Sequence, residues 1–193
     1  MPKKIAVFLI ILFQLSACNP MNSNNTHKFI KIEGHEMNET NHSLTNVNSD
    51  YISSEYLDLK YSGDKTYNID VEIWEHGEIV DTLIEVSNLQ LSDYDGISFE
   101  LDESDKKQYD IAINLYQKSN KTLRHLKISK ENNDLSGRTE STYMNRQEIE
   151  EDKEVFLWGF HKFEGEFGPL INGNEAAEVM DWSLVFYLRP VSQ

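Results

Sequence analysis

From Tyr56 onward the chain alternates apolar and polar residues with a period of two, in short runs separated by polar clusters. Tyr56-Leu57-Asp58-Leu59-Lys60-Tyr61 is the first such run. Tyr67 to Trp74 is the second, placing Ile69, Val71 and Ile73 on one face and Asp70 and Glu72 on the other. A period of two predicts half-buried strands. His76-Gly77 then offers a tight hairpin turn, with Ile79–Val86 as the returning strand. Ile97–Leu101 follows the turn cluster Asp93-Tyr94-Asp95-Gly96, and Tyr109–Tyr116 pairs with Leu123–Ile128 across Ser119-Asn120. Residues 129–153 lack a clear period and are expected to form a long loop, with a helical turn near Arg146–Asp152. Val155–Phe160 and Leu184–Leu188 are apolar on both faces, the pattern of central strands covered on both sides. Between them Asn174–Met180 suits a short helix capped by Asn174. The expected fold is all-β: an antiparallel two-layer β-sandwich of about seven or eight strands over residues 51–193, with one short helix near the C-terminus.

Upstream the texture is different. Eight of the residues from 19 to 50 are asparagine, and Phe29-Ile30-Lys31-Ile32 is the one apolar patch among them. So polar a segment buries too little surface to offset its ordering entropy, so residues 18–50 read as a tether. Phe29–Ile32 carries the alternative of a short edge strand.

Residues 1–17 have the layout of a leader. Lys3 and Lys4 precede the apolar run Ile5–Phe13, which as a helix spans only about 14 Å, half a hydrocarbon core. Then comes Leu15-Ser16-Ala17-Cys18, an aliphatic residue and two small ones before the sole cysteine of the chain. This tetrapeptide, with the charge and apolar run before it, resembles the lipobox of bacterial lipoproteins. The resemblance covers residues 1–18 alone. It implies cleavage before Cys18 and a diacylglyceryl group on its sulfur, which makes Cys18 an anchor rather than a nucleophile. An ordinary secretory leader with an incidental cysteine, or a buried N-terminal strand, is the competing reading. Several buried acyl chains make anchoring durable where one is marginal.

Charge and composition refine this picture. Thirty-three Asp and Glu against 18 Lys and Arg give a net charge of −15, which repels phosphate backbones, so no nucleic-acid partner is expected. One cysteine excludes intramolecular disulfides and multi-cysteine metal sites. Seventeen asparagines and 14 lysines against five alanines and four arginines suit AT-rich coding. The expected location is therefore the extracytoplasmic side of a Gram-positive cell membrane, with a Gram-negative envelope as the alternative.

The search for catalytic chemistry yields fragments. The G-x-S-x-G elbow of α/β hydrolases does not occur. S-x-x-K occurs as Ser62–Lys65 and Ser104–Lys107, both in turns rather than at the start of a buried helix. Asn132, Asp134, Ser136 and Gly137 match the first half of a calcium loop, but Tyr143 stands where the closing acid belongs. Asp93, Asp95 and Asp102 would bind calcium if their turns converged. His27, His35 and His42 lie on the polar tether, without the fixed geometry a zinc site needs. Glu164 and Glu166 make one arbitrary carboxylate pair among many. No metal and no cofactor is expected. One cluster remains as a ligand face: Trp158, Phe160, His161 and Phe163, followed by Phe167 and the loop Gly165–Gly173. Its competing reading is sandwich core.

The expected function is a membrane-anchored, non-enzymatic binding module of the bacterial envelope. Its expected partners are the membrane, through the lipid, and an envelope protein or wall component. The alternatives are a surface hydrolase using carboxylates or His161, and an immunity or inhibitor lipoprotein whose acidic surface neutralises a basic protein.

Overall fold

The computed structural model describes residues 28–36, 53–118, 120–130, 135–142, 148–165 and 173–191. The leader, Cys18, His27, His42, Glu166, Phe167 and the Asn132–Asp134 part of the calcium-like loop lie outside these described residues.

Eleven strands form among the described residues: β1 (Phe29–Glu36), β2 (Ser53–Tyr61), β3 (Thr66–Glu75), β4 (Glu78–Gln90), β5 (Gly96–Asp102), β6 (Gln108–Gln117), β7 (Asn120–Ser129), β8 (Gly137–Thr142), β9 (Glu148–Glu150), β10 (Val155–Phe163) and β11 (Trp182–Pro190). They build two antiparallel sheets, in the order β7-β6-β5-β2-β1-β9 and β4-β3-β11-β10-β8. The fold is the expected all-β sandwich. Period-two positions meet between the sheets: Leu57 of β2, Ile69 and Val71 of β3, Ile97 and Phe99 of β5, and Ile111 and Ile113 of β6 are all buried. Aromatic rings join the layers. Phe99 stacks on Trp158 with centroids 5.6 Å apart and touches Phe186 at 4.9 Å. Tyr109 stacks on Trp182 at 5.2 Å.

β10 and β11 pair with each other, and β11 lies between β3 and β10, so the strands apolar on both faces are central. Their outward residues Val185, Tyr187 and Phe156 are covered together with Ala177 and Trp74 in a small second cluster. The β3–β4 hairpin turns on His76 and Gly77, both with positive φ. Gly77 is required twice over, because a Cβ there would also lie 2.5 Å from the carbonyl oxygen of Glu178.

Four expectations change. Residues 18–50 are not tether throughout: β1 occupies Phe29–Glu36, pairs with both β2 and β9, and buries Ile30 and Ile32 completely. Two inward side chains between two neighbours suffice to hold a strand in an otherwise polar stretch, so the sandwich begins before residue 51. The stretch 129–153 is not all loop, since it supplies β8 and β9 at the far edges of the two sheets. β8 (Gly137-Arg138-Thr139-Glu140-Ser141-Thr142) holds its place by pairing with β10 rather than by apolar alternation, which is why the pattern missed it. The helical turn near Arg146–Asp152 gives way to β9 and a tight turn closed by Lys153 N donating to Glu150 O. The helix at Asn174–Met180 shortens to one 3-10 turn, Gly173–Ala176, with Met180 N donating to Ala176 O just beyond.

The corner after β9 is held by Glu151. Its carboxylate accepts from the Tyr61 hydroxyl at 2.6 Å and from the amides of Asp64 and Lys65 at 3.1 Å each. Burial alone would raise its carboxyl, but these donors outweigh it and hold the group below the usual carboxylate range.

Ile32→Ala distinguishes strand from tether. It should destabilise the fold by about 2–5 kcal/mol in urea unfolding, the cost of a cavity in a closed core. A tether residue would leave the midpoint unmoved.

Candidate functional site

The expected aromatic ligand face is core. Trp158 and Phe160 point inward from β10 and are buried, and Phe160 meets Tyr109 and Trp182 edge-on. Phe163, at the strand end, is half-buried, with its ring where a Cβ on Gly137 would stand. A continuous apolar run does not tell a binding stripe from a packed one, and here packing takes the rings.

His161 is the exception in that run. It points to the opposite side of β10 from Phe160 and is nonetheless completely buried. The register of the sheet sets a hydroxyl on each side of it. Its Nδ1 lies 2.8 Å from Ser183 Oγ on β11, and its Nε2 lies 2.6 Å from Ser141 Oγ on β8. Gly159 leaves the room, because a Cβ there would stand 2.8 Å from His161 Nε2 and 2.9 Å from Ser141 Oγ. The 3-10 turn after β10 lies against β10 and β8. This connection is pinned where Glu164 N donates to the Asp181 carboxylate and His76 N donates to the Asp181 carbonyl. Burial pushes the imidazole down to about 4, so it is neutral at pH 7, with one ring nitrogen donating and the other accepting. A hydroxyl on a neutral imidazole is the start of a nucleophilic pair. However, the ring is sealed, and its low basicity makes it a weak proton acceptor at neutral pH.

The remaining candidates separate. Asp93 and Asp95 precede β5 while Asp102 ends it, so about 20 Å of strand keeps the calcium trio apart. Asp95 instead accepts from Lys118 N, and Asp102 from Ser104 N. Both S-x-x-K sequences lie in interstrand turns, as expected. His35 lies on β1, in register with Tyr56 of β2, and no group of three or more metal-ligating side chains occurs among the described residues. On the outer face of the five-stranded sheet Arg189 binds the carboxylates of Glu72, Asp70 and Glu154, with the Glu154 contact at 2.6 Å. Asp70 Oδ1 is buried there without a partner. The six-stranded sheet has its own polar cluster, in which Asn114 Nδ2 donates to Ser98 Oγ at 2.9 Å and to Glu100 at 2.7 Å.

Among the described residues one side of the sandwich is open. β4 is the edge of the five-stranded sheet and β7 the edge of the six-stranded sheet, and together they flank a groove of about 340 Å3. Ile73, Leu83, Ile128 and Trp182 line it, with Val80, Asp81 and Lys127 among its exposed residues. The pairing partners on β4 jump from Asp81 to Ile79, so Val80 is an extra, bulged residue. A bulge re-aims its side chain, and Val80 is 53% exposed. Ile79 and Ile84 on β4 and Leu123 on β7 are also about half exposed or more.

No family model matches the chain, and no curated protein or solved structure matches it either. Among the described residues no helix is long and apolar enough to cross a membrane. Sequence reasoning named His161 but missed Ser141, Ser183 and the open edge. The signal for that edge was in the sequence: Glu78, Asp81 and Glu85 sit on β4 with no base, and Lys121, Arg124, His125 and Lys127 sit on β7 with no acid.

The buried imidazole makes stability depend on pH. Its folded value lies below the ordinary histidine value near 6.5, so the unfolded chain binds more protons between these limits. This contribution is complete above pH 6.5 and is lost as pH falls towards 4, amounting to about 3 kcal/mol. Imidazole resonances of His161 should titrate near pH 4, and His161→Gln should lose less stability than the wild type across that interval. Titration near 6.5 would overturn the sealed site.

Proposed function

We propose that this chain is a bacterial envelope lipoprotein, held on the extracytoplasmic side by a diacylglyceryl group on Cys18, which acts by protein contact rather than by turnover. The leader and the Leu15-Ser16-Ala17-Cys18 box support the location. The observation that carries the contact reading is β4, a thirteen-residue edge strand that leaves Ile79, Val80 and Ile84 about half exposed or more beside an open groove. Exposed strand edges with apolar side chains are ready templates for another chain. The hydrolase alternative has one observation in its favour, the hydrogen bond between Ser141 Oγ and His161 Nε2, but complete burial of the ring keeps substrate from it.

The location and the mode of action are tested separately. Cys18→Ser should abolish incorporation of labelled palmitate and move the protein out of the membrane fraction. Unchanged labelling and fractionation would remove the anchor. A photoreactive phenylalanine analogue in place of Val80 should give a discrete protein adduct in intact cells. The same analogue in place of Asp152, in an exposed turn, should give none. Equal adducts at both positions, or none at Val80, would remove the contact reading.

A further inference from the structure

The four edges of the two sheets are unlike one another. β9 has three residues and β8 has six. Short edge strands are one way proteins blunt an edge against further pairing. β4 has thirteen residues and β7 has ten, and these two lie on the same side of the molecule with the groove between them. Their chemistry is opposite in sign. β4 carries Glu78, Asp81 and Glu85, with Glu75 of β3 paired directly across from Glu78. β7 carries Lys121 and Lys127 on one face and Arg124 on the other, three bases with no acid among them on a chain of net charge −15, and Lys121 lies 3.6 Å from Glu100. Lys127 lies 3.6 Å from Asp110, yet its side chain remains 57% exposed.

We propose that the occupant of this side is a second copy of the chain, turned over so that β4 of each protomer lies along β7 of the other. The inference rests on the contact reading above and names its partner. A two-fold axis running midway between the layers exchanges them and brings the five-stranded sheet of one copy edge to edge with the six-stranded sheet of the other, at two equivalent seams. Such an isologous contact closes on itself and leaves neither long edge free. The apolar lining, Ile73, Leu83, Ile128 and Trp182, then faces its own counterpart across the axis, and the bulged Val80 gains cover. Charge selects this arrangement over the other two-fold, in which β4 meets β4 and β7 meets β7. That alternative sets Glu78 and Asp81 against the same acids and Arg124 and Lys127 against the same bases, and like charges brought together oppose association.

The test uses the full chain, produced in one cell with two different affinity tags and extracted in mild detergent. The wild type should co-purify through either tag. Glu78→Lys with Asp81→Lys, present in both tagged copies, should lower recovery by about tenfold or more, and so should Arg124→Glu with Lys127→Glu. All four positions are exposed, and each variant's melting temperature checks that it folds. One reversed partner of each kind restores opposite charges at both seams, so the mixed pair should recover to within about twofold of wild type. Failure of the wild type to co-purify overturns the proposal. So does a mixed pair no better than the single reversals, or acid-reversed copies that associate as well as wild type. The readout does not depend on Cys18, and a Val80 adduct to a different protein would overturn the second copy while leaving the contact reading standing.

Discussion

The two sheets are joined by a seam of rings. Phe99 from one sheet lies flat on Trp158 from the other, with an interplanar angle of 6°, and Phe186 closes against both. A chain with one cysteine has no internal disulfide to tie its layers, so packing has to fix their relative position. The connections from β2 to β3, β4 to β5, and β7 through β8 and β9 to β10 all pass from one sheet to the other. Each crossing is useful only if the layers face each other in one register. A buried aromatic side chain removes roughly 150–250 Å2 from water, about 4–6 kcal/mol at the usual area coefficient, so a few rings dominate that choice.

This constraint explains which parts of the fold were legible in the sequence. Residues that face the seam repeat every second position, so β2, β3, β5, β6 and β7 could be read from Leu57, Ile69, Phe99, Ile111 and Ile128. β10 and β11 could be read because a second apolar layer, Phe156, Val185 and Tyr187, covers their backs. The pattern reports how many faces of a strand are buried and says nothing of its neighbours. β8 therefore looked like loop: its ladder to β10 is backbone chemistry, and Arg138-Thr139-Glu140-Ser141 has no apolar alternation to show. β9 is too short for any period, with Ile149 its single residue packed on the core. β1 had the right pattern in Ile30 and Ile32, but its asparagine-rich surroundings outweighed it.

The site was less legible than the fold, for a related reason. His161 stood out as a polar residue among aromatics, yet what makes it distinctive is register. Ser141 and Ser183 are 20 and 22 residues away in sequence and meet the ring only because β8, β10 and β11 pair as they do. Likewise, Ile79-Val80 and Leu83-Ile84 read as a half-buried return strand. That β4 has no neighbour beyond it among the described residues depends on where the other strands go, and no property of β4 alone encodes that.

Both outer faces of the sandwich are already committed. Arg189 gathers Asp70, Glu72 and Glu154 over one, beside Tyr187 under its guanidinium. Ser98, Glu100 and Asn114 are buried on the other, next to the edge-on pair Tyr56 and Tyr116. Polar groups so deeply held are costly to expose or re-pair, so a partner gains little by competing for them. The side bounded by β4 and β7 differs in degree: it offers unpaired strand backbone and exposed aliphatic groups, and the charges of β7 that are paired, Lys121 with Glu100 and His125 and Lys127 with Asp110, are held in pairs whose β7 members stay open to solvent. A partner of the kind proposed would therefore displace less at this edge than on either face. That follows from the same economy of strands that ends the opposite side in β8 and β9.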